Sequence, residues 1–316
     1  MKTRLSQLLG IDTPLIQGGM SWASSNAELA LAVSEAGALG VIAAGPMYPD
    51  ALRAAIRKVK SSTRNPYAVN VPLYNKRAAE YLDIVLEEHV PILIASQGGP
   101  KAHIARFKEA GVTWIHVTAN PAHAKKAEEA GVDAVVAVGM EAGGHPGPDE
   151  ISSLVLTRAT VRNVSIPVIA AGGVADGAGV AAMLALGAEG VQLGTRFLLT
   201  HEASLHQAYK AAVLGASLNG TAIIGRGRSP IRMLRNEFAE RYEAAARSGA
   251  SDAELNQLFA SSSLKLAALD GNVAEGKVEA GQCAGMIDQL EPAGELVARL
   301  MREAREAVHR TQQWLE

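Results

Sequence analysis

The sequence predicts an α/β fold: a (β/α)8 TIM barrel with a helical lid or subdomain inserted after the eighth strand and a C-terminal helix. Three observations carry this. Short β-branched apolar runs recur eight times, each followed by a segment of helical period and a Gly, Pro or Asn stop. Their starts lie roughly 20 to 34 residues apart, the length of a strand plus the crossover helix that brings the next strand back parallel. The glycine-rich stretches fall just after strands, at the end of the barrel where such enzymes keep their chemistry.

The strands read as 14–17, 39–43, 67–71, 91–95, 113–117, 134–138, 167–171 and 190–193. In the helix expected at 26–36, Leu29, Ala32, Val33 and Ala36 share one face, Asn26 is placed to cap the start and Gly37 to stop the end. Similar helices fit 50–60, 76–88, 100–110, 122–130 and 177–186. An open doubly wound sheet also alternates strand and helix, but eight units favour closure. Beyond Leu199 the strand rhythm stops. Residues 202–270 read as helices and loops, with a basic loop Gly225-Arg226-Gly227-Arg228. A glycine-containing return at 279–285 precedes a last helix at about 291–314, expected to pack on the barrel exterior. The expected organisation is a barrel at 1–200, a helical lid at 201–275, and a return segment with closing helix at 276–316.

Composition narrows the function. With 48% hydrophobic but only 4% aromatic residues, the chain has material for a large aliphatic core. Thirty Lys and Arg against 32 Asp and Glu leave a net charge of −2, so no basic field is available for nucleic acid or anionic lipid. The single cysteine, Cys283, cannot form an intrachain disulfide or a multi-thiolate metal site, and it fits a reducing compartment. No apolar core follows Lys2 and Arg4, and no uncharged apolar run is long enough to span a bilayer. These features lead to the expectation of a cytoplasmic protein with no membrane or nucleic-acid partner.

The chemistry should sit at the strand ends. Gly172-Gly173 follows the seventh strand, and Gly194-Thr195 follows the eighth. Barrels commonly build a phosphate site there from backbone N–H groups, and Thr195 adds a hydroxyl. After the first strand, Gly18 and Gly19 offer bare backbone to a flat ring, Gln17 a hydrogen-bonding amide, and Met20 a polarizable contact. Asn70 is polar where its strand neighbours are apolar, so a ligand amide or carbonyl suits it. His145, in Gly139-Met140-Glu141-Ala142-Gly143-Gly144-His145, is the one histidine in a glycine-rich strand-end loop. An imidazole there is suited to moving a proton to or from carbon. Each glycine pair also fits a plain turn, and a lone histidine is commonly structural; it is the convergence on one mouth that favours a site. Metal ligation has little support, since there is no His-Glu-x-x-His or Cys-x-x-Cys. Neither a Gly-x-Ser-x-Gly elbow nor a Gly-x-Gly-x-x-Gly fingerprint occurs. Arg226, Arg228 and Arg232 read as solvated charges on a lid loop, with a substrate phosphate as the alternative.

Taken together, these motifs resemble the nitronate monooxygenase (2-nitropropane dioxygenase) family of FMN-containing barrels, which also includes FMN-dependent enoyl-acyl-carrier-protein reductases. The likeness runs from Gln17-Gly18-Gly19-Met20 through Pro66-Tyr67-Ala68-Val69-Asn70 and Glu141-Ala142-Gly143-Gly144-His145. It continues through Ala170-Ala171-Gly172-Gly173 and Gln192-Leu193-Gly194-Thr195-Arg196-Phe197 to Gly281-Gln282. The resemblance implies that Gly172, Gly173, Gly194 and Thr195 grip the FMN phosphate. It also implies that Gln17, Gly18, Gly19, Met20 and Asn70 contact the isoalloxazine, that Gly143 lines the pocket, that Gln192 reaches the ribityl chain and that His145 is the base. The leading activity it implies is oxidation of alkyl nitronates or nitroalkanes with O2 to carbonyl compounds and nitrite. The alternatives are NAD(P)H-dependent reduction of an enoyl thioester, NADH:quinone reduction and a barrel that binds a phosphate ligand without turnover. A small-molecule substrate is implied throughout, with a homodimer left open.

Overall fold

The structure is a computed structural model and describes residues 2–316. Eight strands form one parallel sheet: β1 (Leu15–Gln17), β2 (Gly40–Ala43), β3 (Tyr67–Pro72), β4 (Ile92–Ser96), β5 (Thr113–Thr118), β6 (Ala134–Val138), β7 (Val168–Ala171) and β8 (Gly190–Leu193). Their order is β1-β8-β7-β6-β5-β4-β3-β2, and a parallel bridge between Ile16 and Leu39 joins the ends into a barrel. The helices between them are α1 (Arg4–Leu9), α2 (Ala27–Glu35), α3 (Pro49–Ser62), α4 (Ala78–Glu87), α5 (Ile104–Glu109), α6 (Pro121–Ala130), α7 (Ser153–Val161) and α8 (Gly177–Ala185). A short α9 (Thr195–Leu198) follows β8.

Strands covered on both faces need apolar residues at every position, and β2 and β7 supply them, as does β4 up to its last residue, Ser96. Ile16, Leu39, Val41, Ile94, Ile115, Val136 and Ile169 pack in a single cluster with Leu5, Leu9 and Ile11, the residues of α1 and its exit. The first helix therefore seals one end of the barrel. It was not anticipated, because six residues carry too little periodicity; Thr3 and Ser6 form a capping box, and Gly10 ends the helix at φ 68°. The expected Asn26 cap is present, accepting a hydrogen bond from Leu29 N. The helix expected from residue 100 begins only at Ile104, and α7 is an addition.

The segment expected to be all helix and loop requires a correction. After α10 (Gln207–Leu214), strands β9 (Thr221–Ile224) and β10 (Ile231–Leu234) form an antiparallel hairpin around the glycine-arginine loop. Both strands are fully buried apolar-rich runs of four residues, too short to declare a period. An antiparallel bridge from Gly144 to Arg232 ties the hairpin to the loop after β6. Helices α11 (Glu237–Arg247), α12 (Asp252–Ala260) and α13 (Leu264–Ala268) complete this region. The long α14 (Ala293–Leu315) packs against α8 and α2, as expected of an exterior helix. Leu296, Val297, Leu300, Met301 and Ala304 are its buried stripe.

Candidate active site

At the carboxyl ends of the barrel strands lies a cavity of about 490 Å³. Gly18, Gly19 and Met20 reach it from β1, Asn70 from β3, Gly143 and His145 from β6, Gly172 and Gly173 from β7, and Gln192, Gly194 and Thr195 from β8. Parallel strands of similar length put all their tips on one side, so residues far apart in sequence meet.

Gln17 is the exception. Its side chain is fully buried and is not part of the cavity wall. Its Oε1 accepts the N–H of Val41 at 2.9 Å, and its Nε2 donates to the Gly18 carbonyl. The β1–β2 seam has only one backbone bridge, and this amide extends the pairing across it. Asn70 is oriented similarly: Nδ2 donates to the Ile94 carbonyl at 3.0 Å, and its Oδ1 faces Gly19. A Cβ on Gly19 would lie 2.6 Å from that oxygen, so only glycine permits this approach.

Gly172 and Gly173 adopt φ values of 100° and 78°, which turn the chain sharply off β7 without a Cβ penalty. The N–H groups of Gly173, Gly194 and Thr195 donate to no protein acceptor. Thr195 Oγ1 accepts from Gly281 N at 2.8 Å, which fixes the return segment against the mouth. Gln192 Oε1 is buried and has no protein partner. Buried polar atoms without partners are rare in folded proteins, and here they cluster where a polar ligand fits.

His145 is exposed on the cavity wall and makes no hydrogen bond to protein. The surrounding protein lowers its pKa below the ordinary histidine value by desolvation, and the charge of Lys277 adds to the shift. The imidazole is therefore neutral at pH 7 and able to accept a proton. Glu141, four residues earlier, is committed elsewhere: its carboxylate accepts from Ser153 N at 2.9 Å and Ser153 Oγ at 2.9 Å, anchoring the loop to the start of α7. Among the described residues no cluster of three or more His, Cys, Asp or Glu could hold a metal ion.

The arginine cluster divides. Arg226 pairs with Glu150 at 2.6 Å and Arg228 pairs with Asp252. Arg232 is not a surface charge but is 3% exposed, donating to the Met140 carbonyl at 2.9 Å and to Thr221 Oγ1 at 2.8 Å. It braces the His145 loop from behind. The cavity wall also includes Trp22, Tyr209, Leu264, Glu279 and Cys283, none of them singled out from sequence as site residues. Glu279 and Cys283 flank the Gly281-Gln282 motif, which was the available signal.

The fold and this mouth define a (β/α)8 barrel enzyme whose strand-end cavity gathers unpaired polar groups and an unpartnered imidazole. The family model for nitronate monooxygenase matches residues 2–84 and 74–303. A nitronate monooxygenase of Paraburkholderia phytofirmans is 35% identical, with 99% of this chain and 98% of that protein covered. A Mycobacterium tuberculosis protein named (3aS,4S,5R,7aS)-5-hydroxy-7a-methyl-1-oxo-octahydro-1H-indene-4-carboxyl-CoA dehydrogenase is 34% identical, with 96% of each covered. The solved structure of FabK from Thermotoga maritima matches with a TM-score of 0.93 at 39% identity over 99% of both chains. The chain belongs to the nitronate monooxygenase family, whose members are flavin-dependent, and it is an oxidoreductase.

Proposed function

We propose that the cavity holds FMN and that the enzyme oxidises alkyl nitronates or nitroalkanes with O2 to carbonyl compounds and nitrite, with His145 as the base. One observation carries the reading: backbone N–H groups without acceptors at Gly173, Gly194 and Thr195 share a cavity with an imidazole free of protein partners. Such N–H groups suit a phosphate, which Gly172 approaches from the same turn. The unpartnered Oε1 of Gln192 suits a ribityl hydroxyl. Gly18, Gly19, Met20 and Asn70 form a wall with little side-chain bulk, fit for the face and edge of a flat ring system, and Gly143 lines the side nearest His145. Gln17 acts one step back, holding Gly18 in place.

When bound, the flavin supplies the electron acceptor that acid-base side chains lack. The chain's own part is to orient the substrate, exclude water and manage one proton. Neutral His145 takes the α-proton of a nitroalkane at a ring nitrogen, and a preformed nitronate needs no such step. The lone thiol, Cys283, supports a cytoplasmic setting.

A second reading, NAD(P)H-dependent reduction of an enoyl thioester, is favoured by one feature: no Lys or Arg side chain lines the cavity, which suits a neutral carbonyl better than an anion. Anaerobic bleaching of the purified yellow protein separates the two. Bleaching by propyl-2-nitronate is the expected result. Rapid bleaching by NADH or NADPH with none by the nitronate would transfer the assignment to the reductase, and a colourless protein that does not rebind FMN would end both.

A further inference from the structure

Among the residues that line the cavity, Glu279 carries the only carboxyl group. It stands beside the proposed base: a Cβ on Gly144, next to His145, would lie 3.1 Å from Glu279 Oε2. Its position is fixed by its own backbone carbonyl, which accepts the Tyr209 hydroxyl at 2.8 Å. Its chain neighbours Val278 and Ala280 belong to a hydrophobic cluster with Ala268, and Leu205 and Leu264 pack against that cluster and line the same cavity. The nearby cation does not neutralise it. Lys277 Nζ is turned away, donating to the Phe259 carbonyl at 2.8 Å and lying 3.6 Å over the Phe259 ring. No protein group donates a hydrogen bond to either carboxyl oxygen of Glu279, so both are available to a ligand.

We infer that Glu279 contacts the substrate and selects its charge, donating a hydrogen bond to a ligand oxygen while protonated and repelling anionic ligands once ionised. The inference deepens the proposed function and rests on this cavity being the substrate site. Burial pushes the Glu279 carboxyl up to about 7, against an opposing pull from Lys277. The titratable groups near it are Tyr209 and Lys277, whose charges couple to it, and His145, next to Gly144; Cys283 lines the same cavity. Burial raises Tyr209 well above the usual tyrosine value and lifts Cys283 to about 11, so both stay neutral near pH 7. His145 is lowered and titrates on the acid side, while Lys277 is brought down to about 8 by burial. Replacing Glu279 alone isolates its contribution from theirs.

The probes are benzoate, an anion, and benzamide, its neutral counterpart, titrated calorimetrically into the purified protein. If only the protonated form accepts an anion, affinity follows the protonated fraction. Benzoate binding should weaken about tenfold from pH 6 to pH 8, while benzamide binding stays level. In Glu279→Gln and in Glu279→Met the benzoate dependence should shrink to less than about threefold. Benzoate affinity that is flat in the native protein, unchanged pH dependence in both variants, or no benzoate binding at pH 6 would each overturn the inference. A flat benzoate profile in a protein still bleached by nitronate removes this role alone; a titrating profile without nitronate bleaching removes the nitronate reading alone.

Discussion

The two ends of the barrel are built from the same strands and solve opposite problems. At the amino end, Leu5 and Leu9 of α1 and Ile11 pack onto Ile16, Leu39 and Ile169 in one apolar cluster, and the buried Ser6 of α1 is satisfied by its capping box with Thr3. At the carboxyl end the strands run into glycines, and polar atoms are left without protein partners. The contrast separates stability from chemistry. One end is closed because nothing needs to enter; the other carries donors and acceptors whose partner comes from outside. Two histidines repeat the lesson. His116, on β5, is buried with its Nε2 2.9 Å from the Gly98 carbonyl and its Nδ1 accepting from Trp114 Nε1 at 3.4 Å. His145 is held by nothing.

The sharpest way to break this comparison is at the open end. His145→Ala should keep the flavin, read from its absorbance, yet lower turnover of a nitroalkane by about 10²-fold or more. Unchanged turnover would remove the imidazole from the chemistry. At the closed end, Leu5→Ala should destabilise the fold by about 2–5 kcal/mol, read from denaturant unfolding, because the void cannot collapse against eight strands. Activity per folded molecule should stay level; a large loss would mean the ends are coupled. His116→Leu leaves Trp114 Nε1 and the Gly98 carbonyl without partners, at a cost of about 1–3 kcal/mol in stability, with turnover unaffected. The smallest effect concerns acidity. If His145 is the base, it works only when neutral and its pKa is depressed, so log kcat/KM should fall with acidification only below the ordinary histidine range. In Lys277→Gln one depressing charge is gone, and the midpoint of that acid limb should move upward; a midpoint that stays put would show that burial alone sets it.

Much of this was legible because it is local. Strand positions follow from apolar runs, the wall residues at Gly18, Gly19, Gly143, Gly172, Gly173 and Gly194 follow from glycines placed just after strands, and Asn70 from a polar residue in an apolar strand. What escaped depends on distant partners. Gln17 reads as a ligand contact until β2 is seen to place Val41 N against its amide oxygen. Arg232 reads as a surface charge in a basic loop, yet the hairpin folds it under Met140 and Thr221. The same hairpin was invisible because four-residue strands carry no period. Glu279 has one local signal, the Gly281-Gln282 motif two residues on, but its place in the cavity wall depends on a distant partner: the return segment is held there by Thr195 Oγ1 on Gly281 N.

The clasp formed by α14 over α2 and α8 has a consequence for biosynthesis. It covers the flanks of the first and last βα units, including Leu29, Val33, Val180 and Met183, with residues that leave the ribosome well after β8. A nascent barrel therefore carries an uncovered apolar flank while the intervening segment is still being translated, a stage at which such surfaces invite association or chaperone capture.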